Sequence, residues 1–228
     1  VVESMRQAAE ECGVEIVTGD TKVVDRGKGD GIFINTAGIG SVPQNMQIHP
    51  ARVAPGDRIL VSGDIGRHGI AIMSLREGLE FEGAPESDCA SLAALVENLG
   101  ELGADLHCLR DLTRGGLAAA LIEIADHATV GIDLQEPEIP ISPAVQNICE
   151  LLGLDPLFAA NEGRMIAIVS EEAVDRAMRI MAAHPAAHSP MVIGRVTANH
   201  PGEVELLNAF GTGRLLDLPA GEQMPRIC

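Results

Sequence analysis

Residues 58–69 read RILVSGDIGRHG, and this stretch decides the architecture. Arg58-Ile59-Leu60-Val61-Ser62 is an apolar run of strand length. It empties into Gly63-Asp64-Ile65-Gly66-Arg67-His68-Gly69, a turn punctuated by glycine. Residues 70–79 then predict a helix, so the unit is strand, turn, helix. The alternation continues downstream, with helices expected at 92–102, 116–127, 143–152 and 171–183 and strands at 131–134, 165–169, 192–196 and 203–207. Such a pattern is α/β (α+β), with helices packed on one face of a mixed sheet.

Upstream, residues 2–12 carry Val2, Met5, Ala8, Ala9 and Cys12 at helical spacing, and Gly13 stops that helix. Short apolar runs at 14–17 and 31–39 read as strands joined by a turn-rich connection. The segment 41–56 holds three prolines and no period, which places a domain boundary there. From Leu216 the chain runs LDLPAGEQMPRIC, whose two prolines and Gly221 favour an extended mobile arm.

With 228 residues the chain fits one domain or two small ones, and its 46% apolar content is that of a globular protein. Sixteen Lys and Arg against 33 Asp and Glu give a net charge of −17, which argues against nucleic acid and anionic membrane as partners. Four Phe with no Trp or Tyr leave almost nothing for bases to stack on. No apolar run is long enough to cross a bilayer. The five cysteines are scattered and contain no CxxC pair, so disulfide and zinc frameworks are disfavoured and a reducing cytoplasm is expected. Cys12, Cys108 and Cys149 read as small core residues.

Four clusters carry chemical potential. Gly19-Asp20-Thr21-Lys22 follows a short apolar run; its carboxylate, hydroxyl and ammonium fit either a metal-bound phosphate or an ordinary polar turn. Arg110-Asp111-Leu112-Thr113-Arg114-Gly115-Gly116 enters an apolar helix, where Thr113 or Asp111 can cap and the two glycines admit an anion to the helix N-terminus. Asp111 is equally free to ligate a hard cation. Glu162, in Asn161-Glu162-Gly163-Arg164, suits an exposed turn or, if desolvated, a general base. His68 sits among glycines as a satisfied loop residue or a catalyst. The pair His184 and His188 has metal-ligand spacing, but Pro185 between them breaks the helix it would need.

The last residues, Pro225-Arg226-Ile227-Cys228, place a thiol at the end of the arm. About a dozen extended residues reach roughly 40 Å.

Together, TGDTKVVDRG (18–27), FINTAGIG (33–40), SGDIGRHG (62–69), DLTRGGL (111–117), NEGRM (161–165) and the terminal PRIC resemble the HypE family of hydrogenase maturation factors over the whole chain. The fold this implies is PurM-like, that of aminoimidazole ribonucleotide synthetase. The terminal PRIC separates the chain from selenophosphate synthetase and thiamine-monophosphate kinase, which share that fold. The resemblance implies that 1–45 ends an N-terminal domain that binds ATP and dimerises. It further implies that 50–215 is a complete C-terminal α/β domain and 216–228 a tail bearing the terminal cysteine. Members of the family carry a further N-terminal segment, so a chain starting at Val1 is expected to be truncated.

The implied activity is ATP-dependent dehydration, to a thiocyanate, of a carboxamide carried on the protein's own terminal cysteine. A HypF-like carbamoyltransferase would supply the carbamoyl group, and a HypC–HypD-type complex would accept the cyanide. On the matching positions Cys228 would be the carrier thiol, Glu162 the base and His68 a group that orients the carboxamide. Lys22, with Asp20 and Thr21, would neutralise phosphate or transition-state charge. Thr113, Arg114, Gly115 and Gly116 would contact ATP, and Asp111 would hold Mg²⁺. Two other functions fit less well: another ATP-using enzyme of the superfamily, such as a selenophosphate synthetase, and a non-catalytic carrier module that presents Cys228.

Overall fold

The computed structural model describes residues 1–29, 31–76, 78 and 83–218. It divides the chain into two compact units, Val1–Gln44 and Asn45–Cys228.

In the first unit, α1 spans Val2–Glu11, stabilised on its surface by Arg6 paired with Glu3 and Glu10. No residue of α1 is buried, so Cys12 is exposed rather than a core residue. The strands expected at 14–17 and 31–39 do not form. A strand requires a neighbour for its N–H and C=O groups, and no described residue supplies one. Val17, Phe33 and Ile39 are correspondingly exposed.

The second unit is built on a seven-stranded sheet. Its strands are β1 (Arg58–Val61), β2 (Leu106–Asp111), β3 (Gly131–Gln135), β4 (Met165–Val169), β5 (Met191–Thr197), β6 (Val204–Leu207) and β7 (Gly213–Leu215). The order is β2-β4-β1-β5-β3-β6-β7, antiparallel throughout except for the parallel pair β3–β6. The helices are α2 (Arg67–Arg76), α3 (Ala93–Leu99), α4 (Gly116–Ala128), α5 (Pro143–Leu152) and α6 (Val174–Ala183).

Helices cover both faces of the sheet, not the single face expected. Ile59 and Val61 of β1 and Ile166 and Ile168 of β4 point to one side, against Leu117, Leu121 and Ile124 of α4. Leu60, Ala167 and Val169 point to the other, against Leu95 and Leu99 of α3 and Ala177 and Met181 of α6. This is why β4 reads MIAIV without polar alternation: all five of its residues are buried. A third cluster joins Ile70 and Met73 of α2 to Val145, Ile148 and Cys149 of α5.

After β7 the chain stays docked for one more residue. Leu216 is buried in the core, and its N–H donates to the Val204 carbonyl at 2.9 Å. The arm expected from 216 onward therefore has its root fixed at Leu216. Residues 219–228, Cys228 among them, lie outside the described residues.

Candidate functional site

Three of the glycine-bearing motifs converge on one buried side chain, Asn161. Its Oδ1 accepts the Gly66 N–H at 2.7 Å, and its Nδ2 donates to the carbonyls of Leu112 and Ala159, each at 3.0 Å. The Asn161 N–H also donates to Leu112 O, while Arg164 O accepts the Leu112 N–H. Asn161 is completely buried, so each of these bonds replaces one that water would otherwise make. The turn after β1, the turn between β2 and α4, and the turn before β4 are thereby fixed to one another.

Arg164 secures the same junction through charge. The guanidinium is almost fully buried; Nε donates to Asp64 O at 3.0 Å, an Nη to Asp64 Oδ1 at 2.9 Å and another to Gly163 O at 3.0 Å. On its other side lies Asp88, whose Oδ2 is 4.0 Å from Nε and whose side chain has no exposure. A buried Arg is tolerable only in such company.

Glu162 rides between these two residues. Its N–H donates to Asp88 Oδ1 at 3.2 Å, while its Oε1 is buried without a hydrogen-bond partner. Next to it, Gly163 has no room for a side chain, because a Cβ there would stand 1.9 Å from Asp88 O. His68 belongs to the first turn of α2 rather than to a loop. Its Nδ1 lies 2.8 Å from Ser87 Oγ and its Nε2 is buried without a partner. Cys89, exposed beside this pair, has its thiol pKa raised, first by desolvation and then by the charges of Glu162 and Asp88.

Asp111, Thr113, Arg114, Gly115 and Gly116 occupy the turn from β2 into α4. Neither Asp111 nor Thr113 caps the helix, contrary to expectation. The Thr113 hydroxyl donates to Asp111 Oδ2 at 2.9 Å, and the N-cap is Gly115, without a side-chain hydrogen bond. The reason is local geometry: Gly115 and Gly116 take φ of +70° and +62°, which turns the backbone before Thr113 can reach the helix. A Cβ on Gly116 would also lie 2.6 Å from the carbonyls of Leu157 and Ala159. The helix end thus has no side-chain cap, with Gly115 exposed and Gly116 buried against residues 157–159, and the Asp111 carboxylate is exposed. Asp20, Thr21 and Lys22 are exposed in the first unit, where Asp20 Oδ1 accepts the Thr21 N–H at 2.8 Å. The structure therefore brings together His68 and Glu162, through residues 87–89, and ties the Asp111–Gly116 turn to the Glu162 turn. His184 and His188 form no metal-binding cluster among the described residues, and His184 Nδ1 accepts the Ala186 N–H instead.

A family model for the C-terminal domain of AIR synthase related proteins matches residues 54–206. The carbamoyl dehydratase HypE of Azotobacter vinelandii is 49% identical over 228 residues, which is all of this chain and 67% of that protein. The chain belongs to the HypE family. Two solved members share its fold: a HypE in complex with ATP, at a TM-score of 0.94 and 46% identity over 100% of this chain and 69% of that one, and a HypE–HypF complex, at 0.93 and 42% over 96% and 71%. The chain spans about two thirds of the length of the curated relatives it matches. The domain described by the family model contains the whole Asn161 junction, so the site geometry lies inside the shared fold.

The motifs did not single out Asp64, Ser87, Asp88 and Arg164, whose side chains hold this junction together. Asp64 and Arg164 stood inside quoted motifs. Ser87 and Asp88 had no such signal, because only the fold carries them to Glu162 and His68.

Proposed function

We propose that this protein dehydrates a carboxamide carried on Cys228 to a thiocyanate, using ATP, and so supplies cyanide for [NiFe] hydrogenase maturation. The observation that supports this most is Glu162 Oε1: a buried, unpartnered acceptor on a turn held by Asn161, Arg164 and Asp88. An amide oxygen is a poor leaving group. Transfer of the ATP γ-phosphoryl group to that oxygen makes an iminophosphate and releases ADP. One amide proton is lost as the iminophosphate forms. Removal of the remaining N–H proton by Glu162 then closes C≡N as inorganic phosphate departs with the amide oxygen, so water is lost as two protons and one phosphate-bound oxygen.

His68 Nε2 would orient the carboxamide, and Lys22 with Asp20 and Thr21 would neutralise charge on the phosphate. Thr113, Arg114 and the N-terminus of α4 at Gly115 and Gly116, which lacks a side-chain cap, suit the ATP phosphates, and a related HypE binds ATP. Mg²⁺ fits Asp111, whose exposed carboxylate is a hard oxygen donor able to neutralise phosphate charge through the ion. The carbamoyl donor would be a HypF-like carbamoyltransferase, in keeping with the HypE–HypF structure. A HypC–HypD-type complex would accept the cyanide in the cytoplasm, and the protein would act as a homodimer.

Twelve residues separate Leu216 from Cys228, enough to span at most roughly 40 Å if extended, a length that would let one thiol serve both the dehydration turn and a partner. Mass spectrometry on Glu162→Gln tests the base role. The carbamoyl adduct on Cys228 should persist in the presence of ATP, and wild-type conversion in that variant would remove Glu162 from the reaction.

A further inference from the structure

Among the described residues, four side-chain atoms are buried with no hydrogen-bond partner: His68 Nε2, Asp88 Oδ2, Glu162 Oε1 and His200 Nδ1. Three of the four meet at one short segment, Ser87-Asp88-Cys89. Asp88 Oδ1 holds the Glu162 N–H at 3.2 Å, and Ser87 Oγ stands 2.8 Å from His68 Nδ1. Buried polar atoms without partners are unfavourable, and several gathered at one turn indicate a polar ligand. Of the three, Asp88 Oδ2 faces the Arg164 guanidinium at 4.0 Å, which balances its charge. The two left for a ligand are Glu162 Oε1 and His68 Nε2.

We propose that Ser87 and Asp88 are the positioning residues of the dehydration step, holding His68 and Glu162 as a donor and an acceptor for one primary amide. This rests on the reading of Glu162 as the base. Ser87 Oγ accepts the Cys89 N–H at 3.1 Å, which occupies one of its lone pairs. Its hydrogen, donated to His68 Nδ1, would leave the ring proton on Nε2 as a donor for the ligand. Asp88 acts on the other partner. With its side chain fully enclosed between the Glu162 N–H and Arg164, it fixes the backbone from which the Glu162 carboxylate projects. Gly163 enforces the contact, since its missing side chain is what lets Asp88 O approach. A thiocarbamate –C(=O)NH₂ group presents the complement: a carbonyl oxygen for the imidazole N–H and an amide N–H for the carboxylate.

The test uses the full-length protein with its tail, in Ser87→Ala, Ser87→Thr, Asp88→Asn and Asp88→Ala. Three quantities are read: the rate of Cys228 carbamoylation, the single-turnover rate of dehydration, and the ¹⁵N signals of the His68 ring. Ser87→Ala should slow dehydration by about 10- to 100-fold. Carbamoylation should stay within about twofold of wild type, and the His68 ring signals should leave the Nε2–H pattern. Ser87→Thr, which keeps the hydroxyl, should restore both dehydration and the tautomer. Asp88→Asn, which keeps an acceptor for the Glu162 N–H, should be faster than Asp88→Ala. The proposal is overturned if Ser87→Ala dehydrates at the wild-type rate with unchanged His68 signals, or if both chemical steps fall together. If Glu162→Gln is also fully active, the base assignment itself has failed; if it is slow, only the positioning role has.

Discussion

The Oδ1 atom of Asp88 accepts the backbone N–H of Glu162 at 3.2 Å, from a side chain with no solvent exposure. A carboxylate enclosed in this way depends on its cation. Removing Arg164 leaves Asp88 buried without a balancing charge and Asp64 without its fork. Arg164→Ala should therefore destabilise the protein by about 3–5 kcal/mol in a urea titration. Arg164→Lys should recover only part of this, because an ammonium cannot make the three bonds to Asp64 O, Asp64 Oδ1 and Gly163 O together. A lysine variant of wild-type stability would show that charge alone holds the junction.

Asn161 joins three turns, so its loss should be felt as stability before chemistry. Asn161→Ala strands the buried Gly66 N–H and Ala159 carbonyl and leaves the Leu112 carbonyl only the backbone N–H of residue 161. The expected cost is about 2–4 kcal/mol, seen as a fall in melting temperature of roughly 5–12 °C. A change below about 1 °C would mean that water replaces the side chain at no cost.

Gly116→Ala tests the close approach at the entrance to α4. The variant must place a Cβ 2.6 Å from two carbonyl oxygens at a φ of +62°. A loss of about 2 kcal/mol or more is expected from the strain, together with weaker ATP binding by the full-length protein. Full stability with wild-type ATP affinity would remove Gly116 from the account of the phosphate site.

The cysteines give a readout in pH. Burial pushes the thiols of Cys108 and Cys149 up to about 11 from 9.0, with the charge of Asp155 adding to the effect at Cys149. Neither should be alkylated in the native protein at pH 8. In the unfolded chain these thiols release their protons near 9, whereas the folded state retains them to about 11, so stability should decline as pH rises across that window. Cys89 is exposed and held up mainly by desolvation, then by Glu162 and Asp88. Glu162→Gln should consequently speed Cys89 alkylation at pH 8 by about two- to threefold, and Asp88→Asn by less. Equal rates in all three proteins would contradict the placement of these charges beside the thiol.

Much of the second unit was legible because its signals are local. Pro143 and Ser142 begin α5 and Gly153 ends it in a left-handed conformation, so the expected helix matches from end to end. The apolar run MIAIV likewise gave β4 its exact limits. By contrast β2 escaped notice, since LHCLRD is a half-buried edge strand ending in two charges, and β7 is three exposed residues defined only by its pairing with β6. The strands expected at 14–17 and 31–39 show the converse. Apolar composition is not sufficient where no neighbour completes the ladder. The site divides along the same line: glycine-bearing motifs announced Glu162, Asp111 and Gly116. Ser87 and Asp88, in a polar loop without punctuation, acquire their role only when Gly163 lets the loop pack against it.

The central claim is that the protein converts its own Cys228 from carboxamide to thiocyanate. Intact-mass measurement of the full-length protein, first carbamoylated and then given ATP and Mg²⁺, tests it most directly. The adduct of about 43 Da should fall to about 25 Da with one ADP released per conversion, as transfer of one phosphoryl group requires. A carbamoyl adduct that persists while ATP is consumed, or a loss of 18 Da that needs no ATP, would contradict the account.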